Sequence, residues 1–543
     1  MFCAPLGRDY LLSHYALRRY AVRLEEKGFC VVRFDYDGTG DSVGKSSDPD
    51  RVGSWLEGVS SAIGLLRDAG IKWVALAGMR SGALLADAAA EKDGSIDALV
   101  LIDPIQSGRS FVSEQRAVAA MSLGVQEKRD DGSVETPGVV YDRQTVEDLK
   151  KLRIGIGSEP SAKEVFVLPR RGTSVDGGLA DRLGKGSVTW GEVTGQEDLV
   201  DAEAPNQRLP LDDIEKVAEW VSEVAPAEEV AVKVPRRAGA AAVAEGQGGR
   251  QVVERPVALG PAGLFGIVTE MPGRSSGPTI VFLNVATEPH VGPARLWVDL
   301  AREWAVRGLR SVRVDMTGLG ESPARLGEPE FVIRLPVNFD DVTDIAKAVS
   351  PDDPSDVVLM GLCSSAYQAL DSALGLRPRG VVALNPVITF QPPEMLAGQP
   401  VYERRRVALP RGNVIQQFSG EGALSGLRKR FPGLGWRIRT LMAFGSRPTA
   451  WLKELTSSGV DLMLVCGDRE ARPIRQGSST RQTSKLAASG NFRFEFIPGL
   501  DHGLLVAAHR ERIRSMVTEH LLTRFASERS PDEQEPDTEV LTG

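Results

Sequence analysis

One pattern occurs twice in this chain and restricts the fold more than any other feature. Gly28-Phe29-Cys30-Val31-Val32-Arg33-Phe34-Asp35 leads into Gly38-Thr39-Gly40-Asp41-Ser42. Far downstream, Gly308-Leu309-Arg310-Ser311-Val312-Arg313-Val314-Asp315 leads into Gly318-Leu319-Gly320-Glu321-Ser322, with Asp35 and Asp315 set 280 residues apart. Each copy reads as a strand ending in Arg-x-Asp followed by a Gly-rich turn. A helical stretch comes next, then a second apolar run, Trp73 to Ala77 in one copy and Val357 to Met360 in the other. A third run ends in Asp103-Pro104 and in Asn385-Pro386. Short apolar runs alternating with helical patterns predict an α/β protein with mostly parallel sheets. A repeat this long is a duplicated domain and not a short-period solenoid.

The second apolar run of each copy enters a tight turn. In Gly361-Leu362-Cys363-Ser364-Ser365, small residues lie two positions before and after a cysteine. That is the spacing of a nucleophile elbow, in which a strand turns so sharply into a helix that the flanking side chains must be small. A cysteine there meets the backbone N–H groups and dipole of the helix N-terminus, which favour a thiolate. A buried core cysteine is the plainer alternative, since free cysteine is a commonly buried residue type. The other copy reads Gly78-Met79-Arg80-Ser81-Gly82, with Arg80 at the nucleophile position and Ser81 out of register.

A chain of 543 residues exceeds one ordinary core. The divisions expected are a degenerate domain over 1–224, a flexible Ala/Gly-rich linker over 225–250, a catalytic domain over 251–526 and an acidic disordered tail over 527–543. The second half opens with two strands, Val252 to Leu259 and Leu264 to Glu270, that have no counterpart in the first. The first sheet is therefore shorter, completed by something else, or continued in an upstream segment. Apolar content of 42% and charged content of 25% suit a soluble globular protein, and a net charge of −8 argues against a nucleic-acid partner. The four cysteines, Cys3, Cys30, Cys363 and Cys466, show neither metal-ligand spacing nor a disulfide framework, so no metal and no cofactor is expected. With no signal-like start and no bilayer-length apolar run, a cytoplasmic location is expected.

With both elbows and both Gly-rich turns placed, the chain resembles the α/β-hydrolase superfamily. In particular, Pro5 through His14 to Ser42, and Asn284 through His290 and Leu296 to Ser322, look like the serine-aminopeptidase-like hydrolases found beside exosortase and natural-product gene clusters. The resemblance implies two tandem α/β-hydrolase domains, each a mostly parallel sheet flanked by helices with a lid insert between strands 6 and 7. It also implies the chain order nucleophile, acid, base. In the second half these are Cys363, then Glu470 or, as the alternative acid, Asp468, then His502 in the loop after Phe492 to Ile497. Glu470 stands three residues after Gly467, where the family places its acid. The oxyanion donors implied are the N–H groups of Ser364 and Val285. Of the five histidines, His14, His290, His502, His509 and His520, only His502 has this context.

The first half lacks all three groups. It reads as a pseudo-enzyme that serves structure, dimer-like packing or substrate gating, with Arg80 either a substrate-binding residue for a carboxylate or phosphate or the partner of a neighbouring acid. The second-half lid spans about 387–457 and carries cationic and aromatic residues such as Arg404, Arg428 and Trp436. A cysteine nucleophile points to esters and thioesters, because an attacked amide expels the thiolate more easily than an unprotonated amine. The expected activity is a cysteine-dependent hydrolase or acyltransferase acting on a small-molecule or carrier-bound acyl substrate, with self-association left open. The alternatives are a non-catalytic binding or scaffold protein, and a cyclase that uses the pocket without covalent chemistry.

Overall fold

The computed structural model describes residues 1–526 apart from 125–128, 130, 158–159, 173–176, 184–186, 203–205, 228–229, 234–238, 274–276, 326, 328–329, 332–338, 387–447 and 478–484. The expected acidic tail and most of the expected second-half lid lie outside the described residues; of the lid, Pro448–Ser457 is a helix.

The N-terminal half contributes β1 (Phe2–Cys3), β2 (Ala75–Met79), β3 (Ala98–Ile102), a hairpin of β4 (Val134–Thr136) and β5 (Val139–Tyr141), β6 (Glu164–Leu168) and β7 (Ser187–Trp190). The C-terminal half contributes β8 (Ala241–Glu245), β9 (Gln251–Leu259), β10 (Leu264–Glu270), β11 (Thr279–Phe282), β12 (Ser311–Val314), β13 (Val357–Leu362), β14 (Gly380–Leu384), β15 (Asp461–Cys466) and β16 (Phe492–Phe496). Among the described residues, β4 and β5 pair only with each other and the rest form two larger sheets. One has the order β1-β2-β3-β6-β7 and is parallel throughout. The other runs β16-β15-β14-β13-β11-β12-β10-β9-β8, parallel from β16 to β12 and antiparallel beyond.

The apolar runs are continuous because the larger sheet is covered on both faces. Successive strand residues point to opposite sides. Val281, Leu359, Val381 and Leu464 enter one core with Ala366, Ala369 and Ala373 of the helix Ser364–Leu376. Phe282, Met360, Val382 and Val465 enter the other, with the helices Leu296–Val306 and Ala507–Phe525. There the Phe282 ring stacks on Trp297 and Trp304 at centroid distances of 5.1 and 5.3 Å.

Two expectations are corrected. The run Gly28 to Asp35 is extended but is not a strand. Its counterpart β12 lies between β11 and β10, whereas among the described residues this run has no partner like β10, and the two-residue β1 gives it a single bond, Phe2 N–H to Val32 O at 2.9 Å. The segment 225–250 is not linker throughout. Ala241–Glu245 forms β8 and, with a register shift between Ala242 and Ala244, pairs with β9, which would otherwise be an open edge.

The halves are joined by an exchange-related pair of contacts. Arg33 reaches Glu321 at 2.8 Å, and its counterpart Arg313 reaches Asp41, the counterpart of Glu321. Arg295 and Arg302 also donate to backbone oxygens of the first Gly-rich turn, at Gly40, Ser42 and Asp41. Apolar contact accompanies this, since Val291 and Val298 belong to the N-terminal core and Phe331 stacks on Tyr15 at 5.3 Å.

Candidate active site

The two elbows share a backbone. Cys363 has φ 57° and Arg80 φ 50°, the left-handed region that non-glycine residues occupy only under tertiary constraint. The N–H of Cys363 donates to Leu384 O at 3.0 Å, as that of Arg80 does to Ile102 O at 2.9 Å. Neither turn tolerates a Cβ two residues earlier: one on Gly361 would lie 2.4 Å from the Ser365 carbonyl carbon, and one on Gly78 2.5 Å from Ala83 Cα. Ser365 fits where the first half has Gly82, and its hydroxyl meets the backbone N–H and C=O of Leu362, both at 3.0 Å.

The structure brings Cys363, His502 and Glu470 together. Glu470, itself buried, accepts from His502 Nδ1 at 2.8 Å, and Cys363 is half-buried. Hydrogen bonding to Cys363 and then to Glu470 raises the His502 imidazole to about 10, against an opposing effect of burial. Asp468 faces elsewhere and accepts the N–H of Gly499 at 2.7 Å. Such an arrangement can hold one proton on imidazole while a sulfur attacks a carbonyl. Ser364 opens its helix, so its N–H has no partner within that helix. Val285 N–H makes no backbone hydrogen bond among the described residues. The loop carrying Val285 is latched to the elbow by Ala286 N–H donating to Ser364 Oγ at 3.1 Å.

One organiser was not singled out from sequence. Asn385, with φ 41° at the end of β14, donates to Asp501 O and His502 O, both at 3.1 Å, and accepts Gly467 N–H at 2.9 Å. It thereby ties the loop of His502 to the loop of Glu470. The signal for it was the repeat itself, which sets Asp103-Pro104 against Asn385-Pro386.

The first half fills the same places with charge. Arg80 donates to Asp9 at 2.6 Å, to Asp103 at 3.1 Å and to Glu114. Arg170, after β6, donates to Asp103 at 2.7 Å. Burial opposes the Arg80 charge, but Asp9, Glu114 and Asp103 outweigh it and hold the guanidinium above its ordinary range. Of the two roles expected for Arg80, these contacts match that of a partner for neighbouring acids, with three carboxylates set against the cation. Ser81 Oγ accepts Leu6 N–H at 2.8 Å, the same latch that Ser364 makes to Ala286.

The other histidines have acid partners away from Cys363. His290 lies between Asp315 and Asp41, both at 2.7 Å; His14 faces Glu321, His509 faces Asp501 and His520 faces Asp461. Among the described residues, no group of three or more His, Cys, Asp or Glu could hold a metal ion, and no helix is long and apolar enough to cross a membrane.

Residues 280–515 match the family described as "Alpha/beta hydrolase family". No curated protein sequence matches significantly. Similar solved structures include an esterase of Pyrococcus furiosus, at 14% identity over 51% of this chain and 91% of that one with a TM-score of 0.29. An α/β serine hydrolase without lid from Xanthomonas campestris has 14% identity over 51% and 96%, with a TM-score of 0.28. An α/β hydrolase from a Penicillium species has 18% identity over 51% and 99%, with a TM-score of 0.31.

Proposed function

We propose that this chain, whose residues 280–515 match the α/β-hydrolase family, is a cysteine-dependent hydrolase or acyltransferase acting on esters or thioesters. The observation that carries this reading is Glu470 at 2.8 Å from His502 Nδ1, on an imidazole whose affinity for a proton is raised by Cys363 and Glu470. Cys363 Sγ attacks the acyl carbonyl, and the tetrahedral oxyanion is held by the N–H groups of Ser364 and Val285. The carbon–leaving-group bond breaks as His502 Nε2 passes its proton to the departing oxygen or sulfur. Water or another nucleophile then gives a proton back to His502 and attacks the thioester, releasing the acyl product and free Cys363. Glu470 stays ionised and stabilises the imidazolium. The strained elbow at φ 57° favours this reading over a core cysteine, because it turns the side chain toward the helix N-terminus in a half-buried position.

Turnover of a panel of short- and long-chain acyl thioesters and activated esters, by wild type and by Cys363→Ala, tests the assignment. Hydrolysis or transfer that vanishes in Cys363→Ala is the expected result. Equal rates in the two proteins, or no turnover of any ester by a folded wild type, would sink it. Loss on His502→Ala with retention in Cys363→Ala would favour the non-covalent cyclase instead.

A further inference from the structure

The N-terminal half grips both loops that the proposed chemistry depends on. Its β4–β5 hairpin reaches the loop of His502: Gly138 N–H donates to Leu505 O at 2.9 Å, and Glu135 Oε1 accepts Ala507 N–H at 2.7 Å. Ala507 begins the helix Ala507–Phe525, so Glu135 supplies an acceptor and a negative charge to a helix N-terminus on the other half. The hairpin is itself fixed. Val134 and Tyr141 are buried in the N-terminal core, and the Tyr141 ring meets Trp55 and Phe111 edge-on, both at 6.3 Å. Gly138 turns with φ 86°, and a Cβ there would lie 3.1 Å from Ala294 Cβ of the C-terminal half.

The second grip is on the loop of Val285. Gln207 accepts from Thr287 Oγ1 at 2.5 Å and is held in turn by its own amide donating to Leu199 O at 2.9 Å. Three residues on, His290 Nε2 bonds Asp41. Thus the His502 loop and the Val285 loop each bond a backbone or side-chain group of a half that has no nucleophile, acid or base of its own.

We propose that the N-terminal half is a brace built into the chain, in which Glu135 and Gly138 position the loop of His502 while Gln207 positions the oxyanion loop through Thr287. These are positioning residues, none of which touches the reacting atoms. The proposal rests on the assignment of Cys363 and His502 as catalytic groups. It explains why a half without a triad retains a helix-and-hairpin insert between β3 and β6: the insert's tip is the part that reaches the other half's histidine loop. A displacement of this loop would separate His502 from Cys363, and small misplacements of reacting groups cost about a hundredfold in rate.

The test uses the full chain with Glu135→Ala and Thr287→Val, each alone and together, and the conservative Glu135→Gln and Thr287→Ser, which keep the bonding atoms. Two readouts are needed: the pH profile of Cys363 alkylation by iodoacetamide, and amide hydrogen exchange across 284–290 and 499–507. The expected result for Glu135→Ala is an alkylation rate at neutral pH lowered about tenfold, a pH profile that differs from that of wild type, and exchange accelerated in 499–507. Thr287→Val should accelerate exchange in 284–290, and the conservative variants should restore wild-type behaviour. An unchanged profile and unchanged exchange in the double variant would overturn the proposal, as would acceleration spread evenly over the whole C-terminal half. Exchange decides the brace even if wild-type Cys363 takes up no acyl group; that outcome would end the catalytic reading and leave the mechanical one standing.

Discussion

The two elbows of this molecule have one backbone and opposite contents. At Cys363 a half-buried sulfur stands beside an imidazole paired with a carboxylate; at Arg80 a cation faces three carboxylates. In both, a Gly two residues earlier makes room, the N–H bonds the next strand, and the following serine latches the loop after the first core strand. The strained turn is therefore a property of the fold, held whichever residue stands at its tip. What differs is whether the strain displays a group that can react or buries one that can only pair. The position after the third strand follows the same division: Asn385 organises the acid and histidine loops, whereas Asp103 neutralises Arg80 and Arg170.

The comparison breaks most visibly if the elbows are emptied one at a time. Cys363→Ala should lower acyl turnover about a thousandfold or more while leaving the melting temperature near wild type. Glu470→Gln should cost about a hundredfold in kcat with little change in KM, because the amide fixes His502 less well and cannot stabilise an imidazolium. Arg80→Leu should have the opposite signature. Removing the cation takes the partner from Asp9 and Glu114 and leaves Asp103 to Arg170 alone, so denaturant unfolding should show a loss of about 3–5 kcal/mol. Turnover per folded molecule should fall far less than in Cys363→Ala. A rate loss comparable to that of Cys363→Ala, without unfolding, would mean that the first elbow takes part in the chemistry.

A smaller effect sharpens the same contrast at the seam between the halves. Burial disfavours charge on His290, but Asp315 and Asp41 overcome this and raise it to about 10. Its folded value lies above the ordinary 6.5, so the stability it contributes is fully present below about pH 6.5 and is lost as pH rises through about 10. The gap in melting temperature between wild type and His290→Asn should therefore narrow between pH 7 and pH 10. A gap that is constant or widens would show that His290 is neutral in the folded protein.

Much of the architecture is legible because two physical signals are local. Strands covered on both faces read as unbroken apolar runs, as in Val357-Val358-Leu359-Met360, and an elbow demands small residues at fixed spacing, as at Gly361 and Ser365. The positions Cys363, Glu470 and His502 could be picked out from the chain order of one family. The misses are non-local. Gly28 to Asp35 has strand composition, but a strand needs a ladder of backbone bonds to a neighbour, which its counterpart β12 finds on both sides while the two-residue β1 offers this run a single bond. Ala241–Glu245 has linker composition, yet an open edge on β9 recruits it. The carboxylates around Arg80 come from Asp9, Asp103 and Glu114, far apart in sequence, so only the fold shows that the guanidinium is already occupied. The grip of Glu135, Gly138 and Gln207 on the other half is likewise invisible in a linear reading.

The most direct test of one working elbow among two is the mass of the intact protein after brief exposure to acyl thioesters and activated esters, followed by peptide mapping. The account predicts a single acyl adduct on Cys363, absent from Cys363→Ala and formed more slowly in His502→Ala. A folded protein that acquires no adduct from any donor, or one whose adduct maps to the N-terminal half, would contradict it.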